Sequence, residues 1–243
     1  MLTMHLLLTA ALVVSFLGCS NFALAATCPN TATAIFAGSN AQGICAQVTT
    51  YGWLACTGQN TDPAPFSYLN GKTNGVTSMA FASQSTCYIE LGAVHCIGEN
   101  DYAQLGLGLS GETTTSFSLT TTVSLAPGLV PQSLTANDYG YCVLYTNNSA
   151  SCWGLEGASG SDEDNGFLRN IGYYANEMGP NLPFVDVGTG RSITSMASAS
   201  TVNCAVLDNG QIKCWGNCLA QDNLCIGYGG GSYYAGKFTT PNT

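Results

Sequence analysis

The sequence predicts an all-β fold built as an array of about four repeated units, on three observations. Four cysteine pairs recur in one local pattern, each followed by a residue and a glycine: Cys45 and Cys56 before Thr57-Gly58, Cys87 and Cys96 before Ile97-Gly98, Cys142 and Cys152 before Trp153-Gly154, Cys204 and Cys214 before Trp215-Gly216. Nearly the same string begins eleven residues ahead of two first cysteines, Val76-Thr77-Ser78-Met79-Ala80-Phe81-Ala82-Ser83 and Ile193-Thr194-Ser195-Met196-Ala197-Ser198-Ala199-Ser200. A fixed offset between matching segments marks a repeated supersecondary unit. Finally, 29 Gly and short runs of Val, Ile, Thr and Tyr between Gly/Asn turns give strand chemistry, and no sustained helical stripe follows the first two dozen residues.

Each cysteine pair brackets two short strands and a turn. The last pair is the clearest: apolar strand residues flank Asp208-Asn209-Gly210, a turn that accepts positive φ at Asn and Gly. Pairing Cys204 with Cys214 aligns residue 205 with 213, 206 with 212 and 207 with 211, so the sulfurs face each other across strands, within reach of a disulfide. The same logic predicts bridges Cys45–Cys56, Cys87–Cys96 and Cys142–Cys152, and a local bridge Cys218–Cys225 that pins an insertion after the fourth pair. First cysteines lie 42, 55 and 62 residues apart, so the connections lengthen towards the C-terminus.

Residues 1–25 read as a signal peptide: an apolar run from Leu6 to Leu17 precedes Ala23-Leu24-Ala25, which fits small-x-small cleavage before Ala26. Two other fates stay open, lipidation at Cys19 after Phe16-Leu17-Gly18 and retention of the run as an anchor; either would place the chain on a membrane. Residues 26–243 form the repeat domain. Twelve cysteines in regular pairs fit an oxidising, extracellular destination. Loss of Cys19 leaves an odd number, with Cys28 the cysteine lacking an evident partner.

Net charge is −9 with five Lys plus Arg, scattered at Lys72, Arg169, Arg191, Lys213 and Lys237. Nucleic-acid affinity comes largely from clustered cations on phosphates, so this balance argues against a DNA or RNA partner.

The second unit carries a sharper signature. His95-Cys96-Ile97-Gly98-Glu99-Asn100-Asp101-Tyr102-Ala103-Gln104-Leu105-Gly106-Leu107-Gly108 resembles the regulator of chromosome condensation repeat, whose pattern is Trp-Gly, an Asn, then Gly-Gln-Leu-Gly-x-Gly. Ile97 stands in place of the Trp and Ala103 in place of the first Gly. Trp215-Gly216-Asn217 followed by Asp222 to Gly227 is a degraded copy, and the resemblance covers about Ile35 to Thr243 in a divergent, cysteine-paired form. It implies a β-propeller with one four-stranded blade per repeat. Seven blades are usual in that family and four units are visible, which leaves open a smaller ring, an open array, an assembly completed by another chain, or a truncated product.

Candidate chemistry is sparse. His95 is the one histidine outside the signal segment and lies in a strand with no nucleophile elbow or companion motif, so its reading is structural. Gly231 to Lys237 spells most of a phosphate loop, but Phe238 stands where Ser or Thr belongs. Asp162-Glu163-Asp164 reads as a solvated acidic loop because its spacing does not match a calcium loop. No cofactor and no metal are expected. Asn147-Asn148-Ser149 is a glycosylation sequon in the third hairpin turn, meaningful in a eukaryotic secretory path.

Loop tyrosines are the candidate contact residues: Tyr139, Tyr141, Tyr173, Tyr174, Tyr233 and Tyr234. Tyr supplies amphipathic contact area at low entropy cost. The sequence is therefore read as a secreted, disulfide-reinforced repeat protein that binds a protein or glycan and is not an enzyme. Two other classes are weighed: nucleotide exchange on a small GTPase, implied by the best-known relative, and secreted hydrolysis. Secretion disfavours the first and the missing catalytic set the second.

Overall fold

The computed structural model describes residues 32–37, 44–48, 53–57, 75–83, 85–108, 116–155, 170–200 and 202–216. Residues 1–25, expected to be a signal peptide, and Cys28, Asp162 to Asp164, Cys218, Cys225, Gly231 to Lys237, Tyr233 and Tyr234 lie outside the described residues.

Four small antiparallel sheets follow one another along the chain, one per cysteine pair. Unit one contains β1 (Ala32–Ala37), β2 (Ile44–Val48) and β3 (Trp53–Thr57). Unit two contains β4 (Val76–Phe81), β5 (Ser85–Glu90), β6 (Ala93–Gly98) and β7 (Ser116–Thr122). Unit three is β8 (Pro131–Ala136), β9 (Gly140–Tyr145) and β10 (Ala150–Gly154), and unit four is β11 (Ile193–Ala199), β12 (Val202–Leu207) and β13 (Ile212–Gly216).

Within each unit the cysteines sit opposite one another in the central hairpin: Cys45 with Cys56, Cys87 with Cys96, Cys142 with Cys152 and Cys204 with Cys214. Three pairs are cystines, with Cα separations of 4.1, 4.0 and 4.0 Å, close to the narrow spacing of a non-hydrogen-bonded antiparallel pair. Cys45 is also disulfide-bonded. The fourth hairpin has the predicted register, and the Leu207 N–H donates to Gln211 O across its turn. Positive φ falls on Gly210 alone there; Asn209 contributes instead through its side chain, whose Oδ1 accepts from the Gln211 N–H.

The first strands β1, β4, β8 and β11 are neighbours in sequence order, so they gather on one side of the array while the hairpins extend outwards. In units two, three and four each first strand carries a register shift at its second residue, Thr77, Gln132 or Thr194, ten residues before the first cysteine. A bulge there raises the local twist of the inner strand. Identical positions also join the units end to end: the Ser83 N–H donates to Asp138 O, and the Asp138 N–H to Ser200 O, each residue lying four before its first cysteine.

The four-stranded blade is complete in unit two, where β7 covers β6. In unit three the fourth position is held by two bridges, Gly154 to Ile171 and Ser151 to Phe184. They match the unit-two pairs Gly98 to Ser116 and His95 to Thr122. The segment from Ile171 to Phe184 is longer than that from Ser116 to Thr122, and the extra chain forms a surface loop around Tyr173 and Tyr174. Units one and four are three-stranded among the described residues.

The core lies between consecutive units. Cys87, Ile89, Val94 and Cys96 pack with Leu134, Tyr141, Val143 and Trp153 of unit three. One step on, Cys142, Leu144, Ala150 and Cys152 pack with Ile193, Ala205, Leu207 and Trp215 of unit four. Each of these cystines therefore faces the following unit, and each Trp of the Trp-Gly pair faces back towards the preceding one. Gly154 must be glycine: it sits at φ 109°, and an added Cβ would lie 2.5 Å from Gly140 Cα and from Tyr139 O.

Candidate interaction surface

Residues 99–108 leave β6 at the end of the blade where the β4–β5 and β8–β9 turns also lie, and most of the signature is spent on holding units two and three together. Asn100 and Gln104 are buried. Asn100 Oδ1 accepts from the Leu105 N–H at 2.9 Å, and Asn100 O accepts from the Ala103 N–H at 3.1 Å, which curls the loop. Gln104 Oε1 accepts from the Tyr102 N–H at 2.7 Å, while its backbone carbonyl accepts from Trp153 Nε1 at 2.9 Å. The tryptophan of the third unit is thus locked onto the signature loop of the second. At the far end Gly108 donates to Gly172 O at 2.9 Å and has φ 65°; a Cβ there would stand 2.6 Å from Ala175 Cα. Only glycine lets the two backbones meet so closely.

Ala103 occupies the position where the repeat pattern has glycine, and its φ is 61°. Alanine is tolerated in this left-handed region at a cost of about 1–2 kcal/mol, which the surrounding hydrogen bonds and its burial offset.

What the loop leaves outside is Glu99, Asp101 and Tyr102. Tyr102 is 37 % exposed and its ring meets that of Tyr139 at a centroid distance of 4.7 Å and an angle of 52°. Tyr139 lies in the β8–β9 turn, where its N–H donates to Asn137 Oδ1 and its carbonyl accepts from the Leu155 N–H. Glu99 has its pKa raised, first by partial burial and second by the neighbouring Asp101 carboxylate.

The second exposed aromatic pair is Tyr173 and Tyr174, edge to face at 5.0 Å, with Tyr174 47 % exposed. Their loop is shaped by the buried Glu177, whose Oε2 accepts from the Gly172 and Tyr174 N–H groups at 3.1 and 3.0 Å. Because Gly108 rests against Tyr174 O and Ala175, one signature loop supports both pairs, Tyr102 at its start and Tyr174 beyond its end.

Tyr141, expected on the surface, belongs to the core. It is 1 % exposed, stacks on Trp153 at 6.0 Å, and its hydroxyl bonds to Ser85 Oγ at 2.8 Å while accepting from the Ala82 N–H at 3.4 Å. Tyr141 lies inside β9, all six residues of which are buried, while Tyr139, two residues earlier and in the turn, stays at the rim. Tyr102 was missed by sequence reasoning, although it occupies a variable position of the signature, where side chains need not serve the repeat. His95 is structural in surroundings: Nδ1 lies 3.2 Å from Thr122 Oγ1 and the ring rests near Tyr88. Asn147 is exposed in its turn, with Oδ1 accepting from the Ser149 N–H and hydroxyl.

No family model and no curated protein sequence matches this chain significantly. Solved structures do match. Human WBSCR16 is 13 % identical over 77 % of this chain and 48 % of its own, with a TM-score of 0.57. Yeast RCC1 (Prp20), in its crystal structure with Kap60 bound, is 15 % identical over 77 % of this chain and 42 % of its own, with a TM-score of 0.53. The fold is an RCC1-like β-propeller. The chain spans less than half the length of either protein. Among the described residues no helix is long and apolar enough to cross a membrane.

Proposed function

We propose that this RCC1-like propeller is a secreted, disulfide-reinforced binding module that docks a protein partner on its loop end and performs no catalysis of its own. The observation that carries the reading is the division of labour in the signature loop: its Asn curls the loop and its Gln and Gly residues join blades, while Tyr102, Tyr139, Tyr173 and Tyr174 form aromatic pairs at its rim. Exposed tyrosines on a rigid scaffold are suited to protein recognition. Three described cystines support an oxidising destination. Yeast Prp20 has been solved with a protein, Kap60, bound to it, which supports a protein partner for this fold without naming one here.

Affinity purification from secretion medium, followed by partner identification and a measured Kd, tests the reading. Tyr173→Ala with Tyr174→Ala is expected to weaken the partner by roughly five- to thirty-fold, the range of one to two kcal/mol typical of an interface tyrosine, with the thermal midpoint nearly unchanged. Turnover of a physiological substrate would overturn the proposal, as would unchanged affinity across all loop-tyrosine variants.

A further inference from the structure

The Tyr102–Tyr139 pair differs from the other aromatics in what surrounds it. Its rings belong to different units, one in the signature loop of unit two and one in the inner turn of unit three, and they meet at 52° rather than lying flat, which makes a V-shaped aromatic corner. Asp101 immediately precedes Tyr102 in the chain, and Asp138 immediately precedes Tyr139. Asp101 is exposed, and Glu99 stands close enough to feel its charge. Among the described residues the Lys and Arg side chains are Arg191 and Lys213, both in unit four. Arg191 meets Asp208 at 3.5 Å, at the end of that unit opposite its β11–β12 turn.

We propose that this corner receives an arginine side chain of a protein partner, stacked on the Tyr102 and Tyr139 rings and paired with the carboxylates of Asp101 and Glu99. The proposal rests on the binding-module reading and names the chemistry of what is bound. An aromatic face attracts a cation through its quadrupole, and the planar guanidinium can stack on a ring while its in-plane N–H groups reach carboxylates. A lysine ammonium makes the charge contact without the stacking. The net charge of −9 draws basic partners in general, but the two rings provide a specific seat for one side chain.

The test uses the full mature chain and a fluorescein-Gly-Arg-Gly-Arg-Gly-amide probe, labelled on its N-terminus, at about 0.15 M salt, with citrulline and lysine versions as comparators. The arginine probe is expected to bind best and the neutral citrulline probe to lose most of its affinity. Tyr102→Leu with Tyr139→Leu leaves net charge unchanged and should cost about four- to twenty-five-fold, taking two- to five-fold per exposed cation–π contact. Tyr102→Phe with Tyr139→Phe should retain binding. If the leucine pair fails to fold, the exposed Asp101→Asn reads the same site and should also weaken the probe. A distant control, Asp186→Asn, should change affinity by less than about twofold, the size of one screened surface charge. Equal binding by wild type and the leucine pair, equal binding of citrulline and arginine probes, or an Asp186→Asn loss matching Asp101→Asn would each overturn the site. A partner protein whose affinity ignores Tyr102, Tyr139 and Asp101 removes this site and leaves the binding module standing. Arginine binding at the corner with no protein partner ever recovered does the reverse.

Discussion

A single hydroxyl at Tyr141 ties the inner turn of unit two to the central strand of unit three. Burial raises the Tyr141 pKa strongly, against a smaller lowering by its bonds to Ser85 and the Ala82 N–H. Tyr145 is raised too, again first by burial. A phenol whose folded pKa exceeds the unfolded value of about 10 contributes its full stability below that pH, and the contribution is lost as pH rises further towards the folded value. Alkaline unfolding above about pH 10 is therefore expected. Tyr141→Phe should lower stability at neutral pH by about 1–2 kcal/mol, because Ser85 is left without its buried partner, and should flatten the alkaline limb. Urea unfolding of both proteins between neutral pH and pH 11 checks the two effects, and an unchanged limb would mean that other groups govern it.

At the scale of the hairpin, the cystines are equivalent in sequence yet not in surroundings. Cys87, Cys96, Cys142 and Cys152 are fully buried against the following unit, whereas Cys204 and Cys214 are only half-buried. Closing loops of nine or ten residues stabilises each hairpin by about 2.5–3 kcal/mol in the chain-entropy model. Thiolate attack needs access to sulfur, so under native conditions dithiothreitol should reduce Cys204–Cys214 before the other two. Timed alkylation with peptide mapping gives the order; simultaneous loss of all three would indicate global opening instead. The hairpins themselves were legible beforehand, because a repeated cysteine pair around a Gly/Asn turn fixes register locally. The inner-strand bulges were not, since Thr77 and Thr194 match but unit three has Gln132 at that position, and neither Thr nor Gln announces a bulge.

Across the whole molecule, stability resides in the junctions between units rather than in separate blade cores. Gly108 tests this, because it contributes no side chain and yet seats the unit-two loop against the unit-three return segment. Gly108→Ala should destabilise the protein by about 2–4 kcal/mol, combining the cost of a left-handed alanine with a backbone clash that no rotamer relieves. Denaturant unfolding followed by tryptophan fluorescence measures it, and a change under about 0.5 kcal/mol, the size of an ordinary surface substitution, would show the junction to be pliable.

By itself the sequence determined the strand chemistry, the four hairpins, the three described cystines and the likeness to a propeller repeat, since each is written within a few dozen consecutive residues. It also placed tyrosines on loops, but it did not separate Tyr141 from Tyr139. Only the tertiary structure decided that, because the full burial of Tyr141 and the half-burial of Tyr139 depend on which residues of the neighbouring unit come to lie against them. The same holds for Tyr102. Its ring finds Tyr139 only when signature loop and inner turn of successive blades are brought to one end of the array, and that proximity arises from packing between units rather than from spacing along the chain.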